Sequence, residues 1–203
     1  MIHVRAAVID DAVDIADAHV QGWRVGYRGL FPDEYLDAPE FERERLDRWR
    51  LWSWQEFNDS ELYVAVLDDR VVGLSHFGSE RQQPTCDQSG TETLATSMGV
   101  GTVHDGGTVG PGGTVGEVYG FYLHPDAWGS GAAARLMSSS LDRLAERQFS
   151  SVVLWVLRDN PRARAFYEKA GWRASGREML WEGPQTATQP PNPVVEVQYS
   201  RSI

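Results

Sequence analysis

A chain of 203 residues, 41% hydrophobic and 24% charged, is long enough for one domain with its own core and has the composition of a globular protein. Its formal net charge of −10 argues against nucleic acid as a partner, because phosphate recognition needs a basic footprint. No apolar run reaches the ~18 residues of a membrane span, residues 1–11 lack a secretory pattern, and the one cysteine, Cys86, permits no internal disulfide, so a cytoplasmic protein with no membrane partner is expected.

Alternation in Ile2–Ala6 predicts a first strand. Asp10 and Asp11 offer a helix cap ahead of Ala12, Val13, Ile15, Ala16 and Val20, with the helix ending and turning within 22–32. A second helix is expected over 39–57. Glu61–Leu67 and Val71–Phe77 flank Asp68-Asp69-Arg70 and predict a hairpin. Residues 79–113 are rich in Gly, Thr, Ser and Gln, and Gly-Gly-Thr-Val-Gly occurs twice, at 106 and 112. With few large apolar residues this stretch adds little to a core, and it is expected to be an insertion in a single 1–203 domain, with a glycine-turned hairpin near Asp105-Gly106.

After it come a strand (Glu117–Leu123), a turn (Pro125–Gly131), an amphipathic helix (Ala132–Gln148) and a buried-type strand (Ser151–Leu157). Asn160-Pro161 opens a further helix that stops at Gly171, and strands at 173–181 and 194–199 flank a polar loop. A strand, helix and strand in succession imply a parallel pair with a crossover. The expected fold is α/β (α+β): a mixed, mostly antiparallel twisted sheet of about seven strands, with one parallel β-α-β crossover and helices on both faces.

The segment 121–137 carries the most chemistry. A strand runs into a turn holding Gly129 and Gly131, and a helix begins at once with Ala132, Ala133 and Ala134. The first turn of a helix has unpaired N–H groups and the positive end of the dipole, and small residues let an anion approach them. The run is neither a P-loop nor a dinucleotide fingerprint, since no Gly-Lys-Ser/Thr follows and position 134 is alanine. A second segment, Asn160-Pro-Arg-Ala-Arg-Ala-Phe-Tyr-Glu-Lys-Ala-Gly-Trp172, follows the next strand.

Together the two segments resemble the GNAT family of acetyl-CoA-dependent N-acyltransferases. Pro125, Gly131 and Ala133 match the family's turn motif; Asn160, Ala163, Tyr167, Glu168, Lys169 and Gly171 match its second motif, with Trp172 in place of Phe. The resemblance covers 117–181 well, and 1–78 in element order and through the Trp23–Tyr35 segment, but not 79–113. One departure stands out: the motif's Gln/Arg position holds Trp128.

The resemblance implies acetyl-CoA as acyl donor and an amine as acceptor, with a homodimer among the assemblies open to it. It gives Phe121, Tyr122 and Leu123 to the pantetheine arm, the backbone of Gly129, Ser130, Gly131, Ala132, Ala133 and Ala134 to the pyrophosphate, and Asn160 to the cofactor arm. Arg135, Arg162 and Arg164 are nearby cations. Tyr167 is the implied acid for the leaving thiolate, since a phenol of pKa ~10 is protonated at neutral pH. Glu117, at the start of the cofactor strand, is the implied base. The alternative glutamate on the next strand is replaced by Trp155. Trp23, Tyr27 and Phe31, with Tyr35, Trp49 and Trp52, are candidates for the acceptor pocket. Cys86 has no histidine near it in sequence that would mark a nucleophile, and the five histidines show no metal-ligand spacing. His124 is expected on a surface loop. A small-molecule amine acetyltransferase is the expected function; a protein or peptide N-acetyltransferase and a non-catalytic acyl-CoA-binding module are the alternatives.

Overall fold

The structure is a computed structural model that describes residues 1–51, 59–81, 114–181 and 194–203. The chain forms β1 (Ile2–Ala6), α1 (Ala12–Gly26), α2 (Asp33–Leu36), α3 (Pro39–Arg50), β2 (Ser60–Leu67) and β3 (Arg70–Ser79). It continues with β4 (Thr114–Leu123), α4 (Ala132–Glu146), β5 (Phe149–Leu157), α5 (Pro161–Lys169), β6 (Arg173–Trp181) and β7 (Val194–Ser202). The described strands make one seven-stranded sheet in the order β1-β2-β3-β4-β5-β7-β6. Of the described strands only β4 and β5 pair in parallel, joined by the α4 crossover. The expected mixed sheet is therefore present.

Period-2 alternation divides the core. Leu62, Val64 and Val66 of β2 face Ile15 and Ala16 of α1 and Trp49 of α3. Ala65, between them, faces Leu136 of α4 with Val72. Helices thus cover both faces, as one residue's shift along a strand reverses its side. Asp68 and Asp69 join β2 to β3 with φ of 49° and 64°, the paired positive values of a two-residue turn that suits strand twist.

Several boundaries differ from the expected ones. Asp11 does not cap α1 with its side chain. Its carboxylate accepts from the Val8 N–H (2.8 Å) and from both terminal nitrogens of Arg5 (2.6 and 2.7 Å), which ties β1 to the helix start. α1 runs on past Gly22 to Gly26. Glycine is there for clearance: a Cβ on Gly22 would sit 2.9 Å from the Leu123 carbonyl oxygen, so the helix backbone lies directly against the end of β4. The second expected helix opens at Pro39 as α3, and the short α2 at Asp33–Leu36 ahead of it was not expected. Strand β4 begins at Thr114. The proposed hairpin at Asp105-Gly106, Cys86 and the end of the expected 39–57 helix lie outside the described residues. Among the described residues, no helix is long and apolar enough to cross a membrane.

The parallel pair is open at one end. β4 and β5 pair from Thr114/Phe149 to Val118/Leu154 and no further. Beyond that point β4 pairs only with β3, down to Leu123/Gly73, and β5 only with β7, down to Leu157/Glu196. A bulge explains the divergence. His76 and Phe77 oppose Gly120 and Val118, which leaves Tyr119 as an additional residue on β4. Such a residue bends its strand and raises the local twist. The Tyr119 hydroxyl donates to the Ser79 carbonyl and pins the bulge.

Candidate active site

A cavity of about 680 Å³ passes through the gap between β4 and β5. One end reaches the turn after β4, lined by Trp128, Gly129, Gly131 and Ala133. The middle is walled by Gly120–Leu123 on one side and Leu154–Leu157 on the other. The far end meets Trp23, Tyr27, Phe31 and Trp181. Backbone groups of Phe121, Tyr122 and Leu123 that point away from β3 face this gap without a partner on β5.

The turn itself is built from local bonds. The Ser130 hydroxyl (2.7 Å) and N–H (3.2 Å) both donate to the Ala127 carbonyl, and the Ala132 N–H donates to Ser130 Oγ (3.2 Å). Gly129 and Gly131 adopt φ of 81° and 92°, a region that favours glycine. The six expected backbone donors therefore divide. Ser130 and Ala132 spend theirs on the turn and do not line the cavity; Gly129, Gly131 and Ala133 line it. Ala134 is exposed on the first turn of α4, outside the lining. Helix geometry leaves the Ala133 and Ala134 N–H groups without intrahelical acceptors.

The three arginines near the turn also divide. Arg135 donates to the Ile2 carbonyl (3.1 Å), and Arg164 to the Tyr199 hydroxyl and the Arg158 carbonyl. Arg162 alone of the three lines the cavity, its guanidinium 3.4 Å from the centre of the Trp128 ring. Trp128 Nε1 donates to the Leu123 carbonyl at 3.3 Å, which fixes the ring as a shelf. His124 is buried rather than exposed: its Nδ1 accepts from the Asp126 N–H (3.2 Å), and it does not line the cavity.

Asn160 caps α5 with its Oδ1, which accepts from the Ala163 N–H at 3.0 Å, and the residue lines the gap. Tyr167, two turns on, is 7% exposed and packed beside Phe166, Trp172 and Tyr199, yet it lines the cavity. Burial pushes its phenol pKa up, with the neighbouring Tyr122 and Glu196 adding to the shift. The hydroxyl therefore holds its proton across the neutral range. Tyr167, Asn160 and residues 121–123 line one cavity.

Glu117 differs from its expected setting. It is 1% exposed, outside the cavity lining, and bound to Arg81 on three bonds: Oε1 accepts from Nε (3.1 Å) and Nη2 (2.5 Å), and Oε2 from the backbone N–H (2.9 Å). A carboxylate so occupied is not free to receive an amine's proton while the pair is intact. The carboxylate that does line the cavity is Glu196 on β7, half-buried opposite Leu157. Burial pushes its pKa up to about 7, with Arg81 lowering it and Glu117 raising it. The sequence singled out neither Arg81 nor Glu196. The run Val194-Val-Glu-Val-Gln-Tyr alternates as any half-exposed strand does, and only the sheet order brings it beside β5.

At the far end, Trp23 meets Tyr27 edge-on (4.6 Å between ring centres), Phe31 stacked (5.7 Å) and Trp181 tilted (5.8 Å). All four line the cavity. Trp181, contributed by β6, was not foreseen. Trp49 and Tyr35 stand behind this wall in the core; Trp49 Nε1 donates to His19 Nδ1 (3.1 Å), and His19 stacks on Tyr122 at 4.2 Å. Trp52 lies outside the described residues.

The bulged, open β4–β5 pair and the motif-bearing turns define an acyltransferase fold, and the chain belongs to the GNAT acetyltransferase family, whose model matches residues 28–172. This family uses acetyl-CoA as acyl donor. An N-acetyltransferase of Archaeoglobus fulgidus is 42% identical over 167 residues, 82% of this chain and 89% of the relative. The Bacillus subtilis N-acetyltransferase YuaI is 28% identical over 164 residues, 79% of this chain and 75% of the relative. The crystal structure of the PaiA N-acetyltransferase of Thermoplasma acidophilum, in complex with coenzyme A, superposes with a TM-score of 0.67. That alignment covers 100% of this chain and 99% of the other at 14% identity, a likeness of fold.

Proposed function

We propose that the chain transfers an acetyl group from acetyl-CoA to a primary amine of a small molecule, by direct attack within a ternary complex. The observation that carries this reading is the cavity that passes through the β4–β5 gap and joins a turn suited to phosphate with an aromatic chamber. In this reading the diphosphate rests on the N–H groups of Gly129, Gly131 and Ala133. Arg162 on its Trp128 shelf supplies the countercharge that a Gln or Arg at 128 would otherwise share. The pantetheine arm lies along Phe121, Tyr122 and Leu123 and takes hydrogen bonds from their backbone, with the free amide hydrogens of Asn160 on its other side.

The thioester then lies beside Tyr167. The amine attacks the carbonyl carbon, the C–N bond forms, and the C–S bond breaks with its electron pair going to sulfur. The Tyr167 hydroxyl donates its proton to that sulfur, and the new amide nitrogen's surplus proton restores the phenol. Alignment of the two reactants in one walled cavity supplies a further share of the rate. A chamber lined by Trp23, Tyr27, Phe31 and Trp181 suits a small acceptor with an apolar body. The test is thermal unfolding with acetyl-CoA, followed by thiol release on an amine panel. At ~100 times its Kd the donor stabilises by roughly 2.7 kcal/mol. No shift at millimolar donor, or no amine-dependent thiol release, contradicts the reading.

A further inference from the structure

Resting on that reading, the geometry points to Glu196 as the catalytic residue that seats the acceptor's ammonium group and takes its proton, with the adjoining aromatic wall selecting an amine carried on an apolar body. Three observations converge. First, among the described residues that line the cavity, Glu196 is the only carboxylate. Second, its place is set by register. It pairs with Leu157, the last residue of β5 in the open gap, and on its other side with Met179 of β6, two residues from Trp181. Third, it shares the cavity with Tyr27, Tyr122 and Tyr167, which approach from the end of α1, from β4 and from α5, and its charge raises their phenol pKa values. Glu196 and Tyr167 thus open onto one cavity, the one in which the thioester would lie.

The charged groups around Glu196 fix how it titrates. Arg81, two residues past the end of β3, is the cation that acts on it, and Arg81 is held by Glu117 of β4. Burial and the Glu117 charge outweigh Arg81 and place the carboxyl near neutrality, where it both gives and accepts a proton. An arriving ammonium finds a carboxylate in a cavity also lined by Trp23, Tyr27 and Trp181, a setting that favours a cation. An acceptor with its own carboxylate next to the amine finds no such welcome: Glu196 repels it, and Arg81 is already paired. One proton passes from the ammonium nitrogen to Glu196, the neutral amine then attacks, and Glu196 releases that proton to solvent after the product leaves.

The matched probes are 2-phenylethylamine and L-phenylalanine, which share a body and differ in the carboxylate. Calorimetry on the coenzyme A-bound protein at pH 8 should show 2-phenylethylamine binding at least ten-fold tighter than L-phenylalanine. Glu196→Gln should lose at least ten-fold in that affinity and on the order of 100-fold in kcat. The wild-type kcat/KM should rise with pH along a limb near 7 that the Gln variant lacks and Glu196→Asp retains. Glu178→Gln, an exposed carboxylate on β6, should match wild type. Three results overturn the assignment: no binding of 2-phenylethylamine at 10 mM, wild-type turnover in Glu196→Gln, or loss of the pH limb in Glu117→Gln with the limb kept in Glu196→Gln. An acetyl-CoA thermal shift in each variant separates these outcomes from failure of the donor reading, since that reading fails only if wild type shows no shift.

Discussion

The Arg162 guanidinium lies over the Trp128 ring, 3.4 Å from its centre, although the two residues belong to different elements 34 positions apart in the chain. Trp128 fills the position where the motif carries a polar side chain, and it brings a cation from α5 to the turn instead. A cation–π contact of this kind contributes about 0.5–2 kcal/mol. Trp128→Ala is therefore expected to weaken acetyl-CoA binding by roughly 2- to 30-fold. Arg162→Ala should do the same, and the double variant should fall short of the product of the two. Calorimetry on the three variants checks this; full additivity would separate the shelf from the cation.

In the proposed mechanism Tyr167→Phe removes the donor to the leaving sulfur without changing the packing against Phe166, Trp172 and Tyr199. General-acid groups contribute about 100- to 10,000-fold. A fall in kcat of that order is expected, with the acetyl-CoA dissociation constant held within about two-fold, a margin well inside one ~1.4 kcal/mol step. Steady-state kinetics together with direct binding measures the split.

The raised pKa of Glu196 has a consequence for stability whose sign is fixed. The folded value of about 7 exceeds the usual carboxylate value of 4.5, so between the two the folded state binds more protons than the unfolded state. Stability then falls as pH rises across that window, and the loss is complete above 7. Glu196→Gln, neutral throughout, should equal wild type below pH 4.5 and exceed it by about 1–3 kcal/mol at pH 8.5. Urea denaturation at the two pH values reads the difference.

Gly22→Ala tests the seat of α1 on β4. The added Cβ would lie 2.9 Å from the Leu123 carbonyl oxygen, and backbone on both sides leaves no flexible end to yield. Overpacking of this kind costs about 1–3 kcal/mol. A lower urea midpoint with an unchanged m-value is the expected result. Because Leu123 also borders the gap, the acetyl-CoA affinity should fall with it.

What the sequence disclosed was local, and what it withheld was assembled from afar. The β4-turn-α4 unit was legible because alternation, two glycines and a helical stripe follow one another without interruption. Asn160 was legible as a cap because Pro161 and Gly171 bracket a nine-residue helix. The extension of α1 past Gly22 was hidden because a glycine that grants clearance looks in sequence like one that ends a helix. Trp181 and Glu196 were hidden for a topological reason. They sit on β6 and β7, and their place at the cavity depends on β7 entering the sheet between β5 and β6. Arg81 was passed over because it lies within the 79–113 stretch whose composition signalled an insertion, and its claim on Glu117 is a contact between positions 36 residues apart.

The proposed function requires the acyl donor to occupy the gap where β4 leaves β5. Hydrogen–deuterium exchange with and without acetyl-CoA addresses it at the residues concerned. Slowed exchange confined to 119–123, 129–134 and the start of α5 is the result the account predicts. Binding that leaves those amides exchanging at their free rates, with protection elsewhere in the sheet, would contradict it.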